Sequence, residues 1–287
     1  MKDAYQEITD RLLEMVDGAG NWAPPWRELG LDRPSNAITK KRYTGVNVFM
    51  CWAAAHRAGY SSNRWATFNQ WQAADCKVRK GAKGTPIIFF KQYEREGESG
   101  DPTKSIVSRV SYVFNAEQVE GAKAMEPEPT QGASAIARRD DIDNAIKRLN
   151  ATIDIGGDRA CYVPSIDTIR MPKPEQFVTM ENYYSVLFHE LVHWTGAKKR
   201  LDRNLSTSFG SDAYAVEEMI AEMGAAFLSA DFGITNYVRD DHARYLKSWL
   251  EAAKKDKRAL VRAASQASKA ADFILNFNEE EELREVA

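Results

Sequence analysis

Two histidines four residues apart, with a glutamate beside the first, constrain this chain more than any other feature: Tyr184-Ser-Val-Leu-Phe-His189-Glu190-Leu-Val-His193-Trp-Thr-Gly196. On a helix, positions i and i+4 lie on one face about a turn apart, so both imidazoles reach a single tetrahedral cation. Glu190 is then placed to hold a water and accept its proton, and zinc lowers the pKa of such a water toward about 7. Gly196 is well placed to end the helix. The bland alternative is a chance match on an amphipathic helix. The chain has only four histidines, two of them in this motif, and the surrounding apolar spacing is helical, so the metal reading is the stronger one. The ion is expected to be Zn2+, with Mn2+ as the other candidate.

A site of this type needs a third protein ligand and an open fourth position. Candidates lie in Tyr214-Ala-Val-Glu217-Glu218-Met-Ile-Ala-Glu222. Glu218 and Glu222 are four apart and share a helical face. Glu218 can present its carboxylate to the ion while Glu222 accepts a hydrogen bond from a ligand histidine and fixes its tautomer. Glu217 points roughly 100 degrees away on an ideal helix and cannot share that role. Glu218 is therefore favoured as ligand over Glu217 or Glu222. A solvated acidic face is the alternative, but Met219, Met223, Ala225, Ala226 and Phe227 leave little polar surface for it. His242 reads as a helix-surface histidine, and Tyr183 and Tyr214 as core or rim rather than oxyanion donors.

The net charge of -2 conceals a marked asymmetry. Between Arg27 and Lys91 twelve Lys/Arg face three acids, a net of +9 that leaves -11 for the remainder. Trp22, Trp26, Trp52, Trp65 and Trp71 are interleaved with Lys40, Lys41, Arg42, Tyr43, Arg57, Arg64 and the turn Val78-Arg79-Lys80-Gly81-Ala82-Lys83-Gly84. Cations along a phosphate backbone, alternating with rings that stack on unpaired bases, suit single-stranded nucleic acid. The candidate contacts are Lys40, Lys41, Arg42, Tyr43, Arg64, Trp65, Arg79, Lys80 and Lys83, with backbone N–H groups at the two glycines able to approach a phosphate. For Trp52 and Trp71, at helical positions, a core role is the better reading.

At 287 residues two domains are the natural division. The expected class is α+β: an N-terminal α+β domain over 1–125, a linker over 126–135 marked by Pro127, Pro129 and Gly132, and a mainly helical domain with a small sheet over 136–287. Helices are expected at 3–16, 46–58, after the N-cap Thr67, 140–150, 181–195, 212–230, 239–254 and 257–274. Strands are expected at Pro86–Phe90, at its partner Val110–Phe114 with a polar hairpin tip over Glu94–Lys104 between them, and around Cys161–Ile169. Cys51, Cys76 and Cys161 are too few and too scattered for a disulfide framework or a CxxC zinc site, which fits a reducing compartment. No signal-type or membrane-spanning apolar run is present. The expected chain is cytoplasmic with no membrane partner.

Taken together, the two regions resemble the ArdC family of antirestriction proteins over nearly the whole length. The N-terminal resemblance rests on Pro25-Trp26, the segment Asn36–Asn47, Arg64–Gln70, Val78–Thr85 and Val113–Gln118; family members commonly carry Gly where this chain has Asp75-Cys76. This domain type is similar to one in some plasmid primases and implies single-stranded DNA binding. The C-terminal resemblance rests on Tyr162, Ile169–Pro172, Phe177, Tyr183-Tyr184, His189–Gly196, Arg200–Arg203 and Tyr214–Glu222, and is to the zincin-like metallopeptidase domain of polyvalent proteins from plasmids and phages. The resemblance implies a protein of mobile DNA that enters a recipient with single-stranded DNA and protects it from restriction. Its expected partners are single-stranded DNA and a protein or peptide substrate, such as a restriction-system component. The competing expectations are a DNA-binding protection protein whose metal is structural or vestigial, and, less favoured for want of a polymerase-type acidic cluster, a primase accessory.

Overall fold

A computed structural model describes residues 5–10, 32–96, 102–122, 139–205, 211–234 and 256–276. The expected linker, the tryptophans Trp22 and Trp26, His242 and the helix expected at 239–254 lie outside these residues. The chain forms two compact units, one containing Pro34–Glu128 and the other Pro129–Ala287 together with Ala23–Arg33. Each mixes helices and sheet, the second being the more helical.

In the first unit residues 5–10 form α1. A sheet of order β1-β2-β5-β4 is built from β1 (Ser35–Asn36), β2 (Arg64–Thr67), β4 (Thr85–Glu96) and β5 (Pro102–Asn115). The β4–β5 hairpin keeps its register through Glu94↔Lys104 to Glu96↔Pro102, so the described ends of the segment expected as a polar tip continue the ladder. Backbone pairing there overrides weak strand propensity. Helix α2 (Val46–Ala58) covers the sheet, and Asn47 exchanges two hydrogen bonds with the backbone of Ile88, at 2.9 and 2.8 Å. That amide satisfies groups of β4, which is an edge strand among the described residues. Helix α3 (Phe68–Ala73) starts at Thr67 with a complete capping box to Gln70. A small β3 (Lys77–Val78) to β6 (Val119–Glu120) ribbon completes the unit. Asp75 has φ 57, the left-handed region in which Gly is least strained and Asp is tolerated.

The second unit holds α4 (Asp140–Arg148) and a three-stranded sheet of order β7-β9-β8, comprising β7 (Thr152–Ile155), β8 (Cys161–Val163) and β9 (Thr168–Met171). Helices α5 (Met180–Thr195), α6 (Asp212–Asp231) and α7 (Lys257–Asn276) make up the rest. Twelve of the sixteen residues of α5 are buried, as expected for a helix covered by α6 and α7 on one side and by β8 and β9 on the other. The close approach of α5 and α6 requires Gly224: a Cβ there would lie 2.6 Å from Val192 Cγ2. Among the described residues no helix is long and apolar enough to cross a membrane.

Candidate functional site

Helix α5 begins at Thr179, whose hydroxyl accepts from Asn182 N, and carries His189, Glu190 and His193 into the interior. The helix ends at Gly196, but not through a left-handed cap: its φ is -74. Glycine is needed there for space, because a Cβ would fall 2.9 Å from Arg203 Nη2 and 2.9 Å from Leu205 Cδ2. The chain then folds back, with Leu201, Asp202 and Arg203 donating N–H bonds to the carbonyls of Thr195, Ala197 and Gly196, which satisfies the helix terminus.

Helix α6, N-capped by Ser211 on Tyr214 N, brings its glutamates against these imidazoles. The two Nε2 atoms are 3.1 Å apart. Glu218 Oε2 is 3.5 Å from His189 Nε2, and Glu218 Oε1 is 3.6 Å from His193 Nε2. A tetrahedral ion with ligand bonds of about 2.0–2.1 Å separates its donor atoms by roughly 3.3 Å. The triangle formed by His189, His193 and Glu218 therefore fits one divalent metal, and its donors are those a borderline cation prefers.

The other ring nitrogens face carboxylates. His189 Nδ1 lies 3.3 Å from Glu222 Oε1, and His193 Nδ1 lies 3.1 Å from Glu217 Oε1. The His193 hydrogen bond favours a proton on Nδ1 and leaves Nε2 facing Glu218, while at His189 the Glu222 carboxylate lies within ion-pair distance of Nδ1. From sequence Glu217 is a less favoured alternative to Glu218 as ligand; in the structure its carboxylate meets the second histidine instead. Its bearing on the helix, about 100 degrees from Glu218, is what carries it to the far side of His193. Burial raises the pKa of Glu217, but hydrogen bonds from His193 and Arg203 outweigh this and lower it. Burial likewise opposes ionisation of Glu218, yet His189, His193 and a hydrogen bond from Tyr214 draw it down to about 2. For His189 burial disfavours charge, while Glu218 and Glu222 hold its pKa well above the usual value. The carboxylates are thus ionised, as a cation needs, while His189 must give up its proton before its Nε2 can bind one. Tyr183 sits in an aromatic cluster with Phe177 and Tyr184, whereas Tyr214 hydrogen-bonds Glu218.

Glu190 is buried, and its Oε2 accepts a 2.8 Å hydrogen bond from the backbone N–H of Tyr162. Tyr162 opposes Ile169 on β9, yet its N–H points off the sheet, so β8, an edge strand among the described residues, turns its outer side toward Glu190. Arg200 anchors this strand. It stacks over Trp194, with the guanidinium carbon 3.8 Å from the ring centroid, bonds the Trp194 carbonyl at 2.6 Å, and grips Asp167 and the Tyr162 hydroxyl. Arg200, Arg203 and Glu217 were missed as site-supporting residues by sequence reasoning; the only signal was their place in family motifs.

Arg200 holds Asp167 well below the usual carboxylate range, against burial and with help from Lys199 and Tyr162. A carboxylate depressed by folding contributes stability above its unfolded value, near 3.8 here, and loses it as pH falls through the folded value. Asp167→Asn is expected to lower stability at pH 7 and to flatten the decline between roughly pH 4 and pH 2. Urea midpoints measured against pH test this, and parallel wild-type and variant curves would contradict it.

The first unit places the basic residues differently. Lys40, Lys41, Arg42, Arg79, Lys80 and Lys83 are exposed. Arg64 is half-buried and donates to Ser35 Oγ at 2.8 Å. Trp65 is 0% exposed, and Tyr43 is buried with its hydroxyl toward the Trp65 carbonyl. The expectation that these two rings contact DNA is corrected. Drawing Trp65 out would expose about 200 Å² and cost about 5 kcal/mol, more than the 1–3 kcal/mol of a stacked base. Trp52 and Trp71 are core, as expected. Arg33 also leaves the basic face: it is buried in the second unit against Asp231 and Ser268, with Phe227 beneath it.

Residues 2–126 match the model of the N-terminal domain of anti-restriction factor ArdC, and residues 140–266 match that of a zincin-like metallopeptidase. The chain is similar to an uncharacterised protein of Sinorhizobium fredii, 39% identical over 95% of this chain and 91% of the relative. It is 38% identical to DNA primase TraC of Escherichia coli over 98% of this chain, but spans only 28% of that protein. Among solved structures it resembles the antirestriction protein ArdC of plasmid R388. In that protein's metal-free form the TM-score is 0.83 at 36% identity, covering 97% of this chain and 98% of the other. In its Mn(II)-bound form the TM-score is 0.78 at 36% identity, covering 96% and 98%. On these matches the chain belongs to the ArdC family of antirestriction proteins, with an ArdC-type N-terminal domain followed by a zincin-like metallopeptidase domain.

Proposed function

We propose that this protein acts in antirestriction on mobile DNA, binding single-stranded DNA through its N-terminal domain and cleaving a protein, such as a restriction-system component, at the site on α5. One observation carries the peptidase half: His189, His193 and Glu218 are spaced for a single ion, with Glu190 next to them at the outer edge of β8. A divalent ion bound there would act as a Lewis acid and bring the pKa of a water toward about 7. Zn2+ or Mn2+ suits the donor set. Glu190 accepts the proton of the attacking water and passes it to the leaving amine. The edge of β8 aligns an extended peptide by backbone pairing, and Arg200 with Asp167 keeps that edge in place. Glu217 and Glu222 orient the imidazoles.

A second reading has support of its own. One oxygen of Glu190 is already engaged by the Tyr162 N–H, as in a structural carboxylate, which fits a metal that only stabilises the domain while DNA binding alone protects. Glu190→Gln separates the two. It should retain the metal and the fold, cut peptide hydrolysis about 10²–10⁴-fold, and abolish protection in a cell-based restriction assay. Full protection by this variant would overturn the peptidase reading of the biological role.

A further inference from the structure

With Trp65, Trp52 and Trp71 in the core, the rings able to stack on unpaired bases are, among the described residues of the N-terminal domain, those that reach solvent, and three of these lie in a row. Phe68 and Tyr112 are each 51% exposed, and Phe114 is half-buried. Phe68 packs edge-to-face on Phe114, with centroids 6.4 Å apart. Tyr112 and Phe114 are two apart on β5 and so share a face of the sheet. The Tyr112 hydroxyl donates to Glu7 Oε1 at 3.1 Å, which fixes the ring. Phe114 packs inward with Val78 against the buried cluster around Trp71 and Val119, so its ring is anchored from below.

The basic turn ends on this row. Gly84 lies so close that a Cβ would sit 3.0 Å from Tyr112 Cβ and 3.2 Å from Phe114 Cζ. The absence of a side chain at 84 keeps the rings uncovered. Lys80 and Lys83 are exposed beside it, as is Arg79, which also donates to the Glu117 carbonyl. The same turn borders a cleft of about 380 Å³ lined by Arg57, Tyr60, Gly81, Lys83 and Gly84. Rings that adjoin a turn of cations and glycine backbone match the alternation of base and phosphate along a single strand. A duplex, whose bases offer no open face, would use only the cations.

We infer that Phe68, Phe114 and Tyr112 form a stacking platform for consecutive unpaired bases, with the turn from Arg79 to Gly84 and Arg57 holding the adjoining phosphates. The inference rests on the single-strand reading above and names the surface that reading requires. Both outer rings are half-exposed, so their removal leaves the core intact.

The test uses the full chain and two labelled strands of equal length and charge, an oligothymidine and one of abasic residues, with affinity read by anisotropy. Wild type should prefer the oligothymidine. Phe68→Ala and Tyr112→Ala should each lower that affinity about 5- to 100-fold and leave abasic binding unchanged, while Phe68→Tyr restores it. Arg79→Glu with Lys80→Glu should weaken both strands alike and reduce the salt dependence. If wild type binds neither strand, the single-strand reading fails and the platform goes with it. If wild type binds both strands equally, or the ring variants match it on oligothymidine, DNA binding stands and the platform is wrong; the aromatic row is then a protein-facing surface.

Discussion

Glu218→Ala, purified beside the wild type, is expected to hold no stoichiometric divalent metal. The loss should be far steeper than in Glu217→Gln or Glu222→Gln, where affinity falls about 10- to 100-fold. The difference follows from position. Glu218 closes the triangle with the two Nε2 atoms, at 3.5 and 3.6 Å. Of the ring nitrogens, Glu217 and Glu222 face the opposite ones. With Glu218 gone, two imidazoles remain, too few to hold the ion against water. His193→Ala should behave like Glu218→Ala. Elemental analysis after dialysis, followed by chelator competition for variants that retain metal, gives the ranking. A Glu218→Ala protein that keeps one ion per chain would mean that the third ligand lies elsewhere.

The largest stability effect is expected at Arg203. Its guanidinium makes paired contacts with Glu217, at 3.0 and 2.9 Å, and also bonds Thr195 Oγ1 and the Val192 carbonyl. Side-chain exposure is 6% for Arg203 and 9% for Glu217. Removing one member of such a pair leaves the other's charge buried, which costs about 3–5 kcal/mol. Arg203→Met should lose that much in urea denaturation, along with the carbonyl bonds at the end of α5. Arg203→Met combined with Glu217→Gln should recover part of it, because the stranded charge is gone. A single-variant loss below about 1 kcal/mol would show that water reaches the pair and that it behaves as a surface ion pair.

Some of this arrangement was legible in the sequence because it depends on neighbours along the chain. His189 and His193 share a face by helical period alone. Thr67 announces the start of α3, and the strands at Pro86 and Val110 announce a hairpin. Glu218 could be favoured from its spacing to Glu222, although choosing among three glutamates required knowing how α6 meets α5. That meeting is set by Gly224 against Val192, a contact between residues 32 positions apart. The rings were harder to read. Trp65 and Tyr43 look in sequence like aromatics interleaved with cations, but Trp65 is 0% exposed with Tyr60 packed edge-to-face on it, and the Tyr43 hydroxyl turns inward to the Trp65 carbonyl. Phe68, Tyr112 and Phe114 drew no attention because no local pattern distinguishes an exposed phenylalanine from a core one. Arg33 counted toward the basic stretch, yet it is buried in the second unit by a salt bridge to a residue 198 positions away.

What the sequence determined by itself is the chemistry available: an imidazole pair and a carboxylate fixed to one helix, a second helix rich in glutamate, and an N-terminal stretch with an excess of cations. Helical period and charge are properties of short segments and survive without knowledge of the fold. What only the tertiary structure decided is which carboxylate faces which nitrogen, which strand edge lies over Glu190, and which rings remain in water. Those depend on two elements approaching to within a side chain's reach, and burial, which governs both ionisation and exposure, is defined only once the chain has closed on itself.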